Sequence, residues 1–184
     1  MRYHHIHLFG ASGSGTTSIA KRASELLQFV HFDSDHYFWL PTEEPFAVER
    51  PREECYSLME KDFSSHQNWI LSGSVIGWGE ELTPLFDLAI FVYVPAEIRL
   101  ERLRKREFER YGDAMMPGGL YYEKSQKFLS WAADYDGKPK NGRSLAKHQE
   151  WMKTLPCPIL EIVNLNFEES VQAVIHAVQS STSI

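Results

Sequence analysis

Apolar residues occur in five short runs along the chain, separated by longer polar or amphipathic segments. The runs cover 5–9, 29–32, 68–71, 88–94 and 158–163. The run at 88–94 is continuously apolar and rich in β-branched residues, which is typical of a parallel strand buried on both faces. The pattern therefore predicts five strands in the interior of the protein.

Helical spacing of apolar residues predicts a helix after each of these runs or close to it. The predicted helices cover 18–27, 52–64, 96–110, 121–135, 144–155 and 167–178. Strands that alternate with helices favour an α/β fold with a five-stranded parallel sheet covered by helices on both faces. We expect one domain over 1–184, with an excursion at about 106–143 that a cluster of glycines and a proline interrupts at 112–119.

A glycine-rich loop joins the first predicted strand to the first predicted helix. Glycine allows the chain to turn so that successive N–H groups point at one anion beside a helix N-terminus. The spacing fits the phosphate-binding pattern G-x-x-x-x-G-K-[ST] at Gly10, Gly15 and Thr17, but Thr16 stands where the lysine belongs. We expect this loop to bind ATP, with Mg²⁺ on the Thr17 hydroxyl. The predicted cofactor-binding residues in the loop are Gly10, Ser12, Gly13, Ser14, Gly15, Thr16 and Thr17.

Two other interpretations of the loop stay open. The stretch from Gly10 to Gly13 is similar to the start of a dinucleotide-binding turn, and Asp33 lies near the distance expected of a ribose-binding acid. The short-chain dehydrogenase form of that turn needs glycine at position 16, however, and this chain has threonine. The other interpretation is a glycine turn that binds nothing.

Two carboxylates follow the second predicted strand. Asp33 and Asp35 are two residues apart, so in an extended segment both side chains would face the glycine loop. We expect Asp33 to hold magnesium through water and Asp35 to orient the acceptor; a solvated turn is the alternative. The aromatic residues that follow, including Trp39, and Trp78 farther along are expected mostly in the core rather than as a stacking platform.

Charge narrows the class of ligand. The formal net charge is −6, which argues against a nucleic acid partner, yet six of the basic residues fall within 99–110. This concentration favours a small anionic ligand. We expect Arg106 or Arg110 to contact it, and Arg99 and Arg104 to lie on a solvated helix face.

Other features bear on compartment and on competing chemistry. No apolar run approaches the roughly 20 residues of a membrane helix, the N-terminus does not look like a signal peptide, and Cys55 and Cys157 have no ligand-type spacing. We therefore expect a cytoplasmic protein, a monomer or homodimer. The histidines at 4, 5 and 7 are expected to pack or bond locally rather than hold a metal, and no hydrolase motif is complete.

Several of these motifs together resemble the P-loop small-molecule kinases of the adenylate kinase and shikimate kinase type. They are the glycine loop, Asp33-x-Asp35, Ser72-Gly73-Ser74 and Arg102-Leu-x-x-Arg106-x-x-x-Arg110. The resemblance implies a P-loop NTPase fold with an arginine-rich lid and transfer of a phosphoryl group from ATP to a small acceptor, such as a nucleoside or nucleotide.

The resemblance also implies roles for individual residues. Arg106 and Arg110 would begin the lid and Arg143 would be another lid contact, while Asp33 and Asp35 match the paired aspartates of shikimate kinases. Ser72 occupies the position of the metal-supporting aspartate of adenylate kinases, so Asp33 is expected to substitute for it. Residues 164–166 match the region that contacts adenine.

The missing lysine leaves two interpretations. In the first, the protein is a kinase in which a lid arginine or Lys21 supplies the charge that the loop lacks. In the second, it is a regulatory protein that binds nucleotide without transferring phosphate, because an aimed donor typically accounts for about 100-fold to 1,000-fold in rate.

Overall fold

The computed structural model describes residues 3–137 and 143–180. The strands are β1 (His5–Gly10), β2 (Val30–Asp33), β3 (Trp69–Ser72), β4 (Leu88–Tyr93) and β5 (Ile159–Val163). The helices are α1 (Thr16–Leu27), α2 (Ser34–Phe38), α3 (Arg52–Ser64), α4 (Ala96–Tyr111), α5 (Tyr122–Ala133), α6 (Leu145–Met152) and α7 (Phe167–Gln179). Short 3₁₀ segments cover Glu80–Leu85, Gly112–Met115 and Asp134–Asp136. The predicted strands and helices are confirmed, and α2 is an addition.

The sheet is parallel throughout, with the strand order β2-β3-β1-β4-β5. The central strand β1 pairs Leu8 with Ser72 on one side and with Ile90 on the other. This order separates β1 from β2, unlike the 3-2-1-4-5-6 order of dinucleotide-binding folds. The predicted five-stranded parallel sheet is confirmed, and its strand order argues against the dinucleotide interpretation.

Each face of the sheet is buried under helices. On one face, Ile19 of α1 and Val174 of α7 pack on Leu8 and neighbouring strand residues. On the other, Met59 of α3 and Trp151 of α6 join a cluster that is rich in aromatic side chains. None of the helices in the described ranges has the length and apolar character that crossing a membrane requires.

His7 belongs to the second, aromatic-rich face, where it packs among aromatic rings. Its ring stacks on Phe86 at a centroid distance of 4.5 Å, and Nδ1 lies 3.2 Å from the carbonyl oxygen of Leu71. Burial lowers the pKa of His7 to about 3, so the ring packs in its neutral form. Within 3–137 and 143–180, no cluster of three or more histidine, cysteine, aspartate or glutamate side chains could hold a metal ion.

The segment predicted as an excursion begins with a hairpin of α4 and α5. Leu103 and Leu129 pack between the two helices. The buried carboxylate of Glu107 accepts hydrogen bonds from the Ser125 hydroxyl at 3.1 Å and from Arg110 at 3.2 Å. The rest of the excursion, at 138–142, lies outside the described residues.

Arg99 differs from its prediction as a solvated side chain. It is completely buried, and its guanidinium donates to the carbonyl oxygens of Val94 at 3.0 Å and Ala132 at 3.2 Å, and to the carboxylate of Asp136. The guanidinium also lies 5.0 Å from the centroid of the Tyr135 ring. Arg99 therefore joins the start of α4 to the end of α5, whereas Arg104 is exposed as predicted.

We predict that Arg99→Met lowers the free energy of unfolding by about 3 kcal/mol, because it leaves a carboxylate and two carbonyl groups without their shared donor. Urea denaturation followed by circular dichroism measures this change. Arg104→Met is the matched control on the same helix and should change the free energy by less than about 0.5 kcal/mol. Equal effects of the two substitutions would contradict a structural role specific to Arg99.

Candidate active site

The loop between β1 and α1 has the geometry of an anion site. Gly13 and Gly15 adopt left-handed conformations with φ values of 81° and 90°, which side chains disfavour. Helix α1 begins at Thr16 with no side-chain cap and no acidic residue in its first turn. Its first N–H groups and its positive dipole end are therefore free to act on a negatively charged group.

A buried asparagine holds this loop in place from the far end of the chain. Asn164 follows β5, and its side-chain Nδ2 donates to the carbonyl oxygen of Ser14 at 2.8 Å. Its Oδ1 in turn accepts a hydrogen bond from the Ser170 hydroxyl of α7 at 3.1 Å. The expectation that 164–166 contacts adenine is wrong for the Asn164 side chain, because that side chain is only 2% exposed and is occupied by the loop.

A cavity of about 250 Å³ lies over the loop. It brings most of the predicted site residues together with Gly73 and Arg102. Ser14 is an exception, since its hydroxyl is buried with no partner in the described part of the chain. The residues that line this loop cavity include Gly10, Ser12, Gly13, Gly15, Thr16, Thr17, Asp35, Gly73, Arg102, Arg106 and Arg143.

The two aspartates after β2 do not share this cavity. The predicted extended segment is wrong, because α2 begins at Ser34 and Asp33 is its N-cap, accepting from the Asp35 N–H at 3.0 Å. The helical turn directs Asp35 into the cavity over the loop, whereas Asp33 lines a separate depression beside His36 and Asp62. The catalytic and metal-binding roles of Asp33 stay predictions.

Asp35 is accessible from the cavity, yet its surroundings disfavour its charge. Partial burial raises the pKa of Asp35, and the negative charge of Asp33 raises it further. The positive charges of Arg143 and Arg106 oppose both effects without cancelling them. A carboxylate whose pKa is raised in this way is a better proton acceptor than an exposed one.

The two arginines that face Asp35 have no other polar partner among the described residues. Arg106 lies over the Phe128 ring at 5.9 Å and Arg143 over the Trp131 ring at 5.4 Å, and neither guanidinium donates a hydrogen bond or forms an ion pair there. Both remain cations at neutral pH. They can therefore offer their donors to an anionic ligand.

Arg143 is positioned by the helix that follows it. Ser144 caps α6 by accepting from the Lys147 N–H at 3.1 Å. On the buried side of α6, His148 Nε2 lies 3.0 Å from the Ser74 hydroxyl and Nδ1 lies 2.5 Å from the Tyr135 hydroxyl. These contacts fix α6 to the loop after β3 and to the end of the α4–α5 hairpin, so Arg143 projects from an anchored segment.

A second cavity of about 350 Å³ adjoins the first, and we call it the acceptor cavity. The two cavities share Ser12, Asp35, Arg106 and Arg143. The remaining walls of the acceptor cavity are Trp39, Phe46, Glu107, Arg110, Tyr111, Lys124, Phe128 and Trp131.

The aromatic residues after β2 divide between core and cavity. Tyr37 is buried in the core and Trp78 packs against Phe38 at 5.1 Å, as expected. Trp39 instead lines the acceptor cavity, as does Arg110, which does not reach the loop cavity. Phe46 also lines the acceptor cavity, and nothing in the sequence of its proline-bounded loop distinguishes it.

The comparisons with known proteins agree with this fold. The family model AAA_18, described as AAA domain, matches residues 6–127. The Bacillus subtilis (strain 168) protein named Uncharacterized protein YqaC is 46% identical over 157 residues, which is 85% of this chain and 86% of that protein.

Solved structures with the same fold include two shikimate kinases. The Acinetobacter baumannii enzyme in complex with shikimate has a TM-score of 0.57 at 16% identity, covering 99% of this chain and 96% of that one. The Bacteroides thetaiotaomicron enzyme has a TM-score of 0.54 at 17% identity, covering 96% of this chain and 99% of that one. The fold is thus that of the P-loop kinases.

We predict that Asn164→Ala weakens ATP binding about tenfold, because the Ser14 carbonyl loses its buried donor and the loop loses its fixed shape. Isothermal titration with ATP and Mg²⁺ measures this. Asn68→Ala is the matched control: its Oδ1 lies 2.6 Å from His4 Nδ1, at the edge of the sheet opposite the loop. The control should lose about 1 kcal/mol of stability or less and keep its ATP affinity.

We predict that Asp35→Asn unfolds at a higher temperature than the wild type at pH 7.5. The pKa of Asp35 is raised in the folded state, so its charge is less favourable there than in the unfolded chain. The wild type thus loses stability as pH rises through the folded pKa, and the difference between the proteins should vanish below the ordinary value of 3.8. Thermal unfolding across this pH range tests it, and a variant less stable than the wild type at pH 7.5 would contradict it.

Proposed function

Because the chain belongs to the AAA_18 family and has a P-loop kinase fold, we propose that it transfers the γ-phosphoryl group of ATP to a small-molecule acceptor. The observation that carries the proposal is the position of Asp35, which lines both the loop cavity and the acceptor cavity. An acceptor molecule in the acceptor cavity would have to meet the γ-phosphate of ATP where the two cavities join.

The loop would hold the ATP phosphates through the N–H groups at the start of α1. We assign this contact to Gly10, Ser12, Gly13, Gly15, Thr16 and Thr17, with Ser14 contributing its main chain. Thr17 is exposed to the loop cavity, so its hydroxyl fits a magnesium site, which Asp33 would support through water. Magnesium would neutralise phosphate charge during transfer.

Asp35 would accept the proton of the acceptor. As the acceptor oxygen bonds to the γ-phosphorus, the bond from that phosphorus to the ADP oxygen breaks, and the acceptor proton passes to the Asp35 carboxylate. Its raised pKa suits this role, since burial and the charge of Asp33 make the carboxylate bind a proton more strongly than an exposed aspartate does.

Arg143 and Arg106 would supply the charge that Thr16 does not. Both line the loop cavity and have donors free for phosphate oxygens, whereas Lys21 is exposed and does not line it. Arg110 is paired with Glu107 and would act from the acceptor side. Guanidiniums suit this task because they offer several donors to spread negative charge.

We expect Arg143→Gln and Arg106→Gln each to lower kcat by about 100-fold to 1,000-fold, as removal of one aimed donor does in other enzymes. The assay couples ADP release to a panel of nucleoside, nucleotide and sugar-like acceptors with ATP and Mg²⁺. Arg104→Gln, on the exposed face of the same helix, is the control and should match the wild type. If the wild type transfers a phosphoryl group to none of the acceptors, the kinase proposal is overturned.

A second candidate function is a nucleotide-binding regulator without kinase activity, and Thr16 is the observation that favours it. Such a protein would bind ATP and release no ADP with any acceptor. Wild-type turnover separates the cases: robust ADP release with any acceptor would overturn the regulator, whereas a protein without turnover whose Thr16→Lys variant also gains none would support it.

The partners that fit this proposal are nucleotides and small anions rather than nucleic acid, given the net charge of −6. We place the reaction in the cytoplasm, in keeping with two cysteines that are both free thiols. A monomer or a homodimer would serve equally well.

A further inference from the structure

We propose that the acceptor is a flat aromatic or heteroaromatic ring that carries a phosphate or carboxylate group. The inference rests on the proposed function and concerns the other half of the site, the acceptor cavity. Two features of the acceptor cavity indicate this class of ligand: its aromatic walls and its unpaired positive charge.

The walls of the acceptor cavity include aromatic side chains from separate parts of the chain. Trp39 and Phe46 come from the segment after α2, Tyr111 from the end of α4, and Phe128 and Trp131 from α5. The Trp39 and Phe46 rings meet edge to face at a centroid distance of 6.1 Å. Aromatic side chains placed around a cavity recognise a planar ring by stacking, whatever its hydrogen-bonding pattern.

Phe46 occupies this wall in an unfavourable backbone conformation. Its φ is 58°, in the left-handed region that bulky side chains rarely adopt. It is 40% exposed, so burial in the core does not explain its position. Its ring lies 4.9 Å from the Arg110 guanidinium at the edge of the acceptor cavity. A strained, partly exposed ring beside a cavity indicates a binding role.

The charges that line the acceptor cavity call for an anion. Arg110 is paired with Glu107 at 3.2 Å, and Lys124 is paired with Glu44 at 2.6 Å. Arg106 and Arg143 have no such partner in the described part of the chain, and only Asp35 opposes them. Two guanidiniums facing one carboxylate leave a positive charge that a phosphate or carboxylate of the ligand would balance.

The loop before α3 limits the size of the ligand. Lys124 Nζ donates to the Glu44 carboxylate at 2.6 Å and to the Pro45 carbonyl at 3.2 Å, which ties that loop to α5 beside the acceptor cavity. A volume of about 350 Å³ fits a single small molecule.

The test compares four groups of probes by isothermal titration without ATP. Planar anions are represented by the four nucleoside 5′-monophosphates and by 4-hydroxybenzoate, which separates phosphate from carboxylate. Shikimate and ribose 5-phosphate are anions without an aromatic ring, adenosine is a ring without the anion, and glucose has neither. We expect at least one planar anion to bind about tenfold or more tightly than every probe of the other groups.

Phe46→Gly ties the binding to the site. Glycine accepts the left-handed conformation, so the melting temperature should change by less than about 3 °C, while affinity for the planar anion should fall about tenfold. Phe46→Leu should lower the affinity similarly. Phe108→Leu is the control, because Phe108 is 51% exposed on α4 outside the acceptor cavity, and it should bind as the wild type does.

The outcomes separate this inference from the proposed function. The inference would be overturned if shikimate, ribose 5-phosphate, adenosine or glucose binds more tightly than every planar anion. This holds even if ATP binds and ADP is released. An unchanged affinity in Phe46→Gly would also overturn it. Planar anions that bind with the expected loss in Phe46→Gly, in a protein that never releases ADP, would support the inference and count against the kinase.

Discussion

The candidate site depends on the electrostatic balance among one carboxylate and two guanidiniums where the two cavities meet. The glycine-rich loop has no lysine and offers only N–H groups and a helix dipole, so under the proposed function further positive charge would come from elsewhere in the chain. Asp35 reaches the junction from α2, Arg106 from α4 and Arg143 from the segment before α6. The surrounding packing must therefore hold α2, α4 and the segment before α6 in fixed positions relative to one another.

Two buried polar contacts show how that task is met. Arg99 fixes the start of α4 to the end of α5, so the wall that carries Arg106 is rigid at its base. His148 holds α6 in place through its contacts with Ser74 and Tyr135. Arg143, two residues before α6, is therefore next to an anchored helix. Burial lowers the pKa of His148 to about 3, which keeps its ring neutral beside the positive charge of Arg143. A protonated histidine there would add a like charge to the site.

The sequence was sufficient for features that local pattern determines. Runs of apolar residues predicted each strand, and the glycine loop was found from its spacing alone. Helix α2 was missed because five residues are too short to show helical periodicity, and this changed the expected direction of Asp35 relative to Asp33. Arg99 lay in a run of charges that looked like a solvated helix face. Its partner Asp136 is 37 residues away, which no local pattern reveals.

Long-range contacts account for what remained hidden at the candidate site. Asn164 supports Ser14 across 150 residues, and Phe46 meets Arg110 only because the loop after α2 packs near the α4–α5 hairpin. The same geometry couples the two cavities. Ser12, Asp35, Arg106 and Arg143 line both, so an anion in either cavity would draw on the same two guanidiniums. In the proposed reaction these guanidiniums would lie between the two anions, which is where charge develops during phosphoryl transfer.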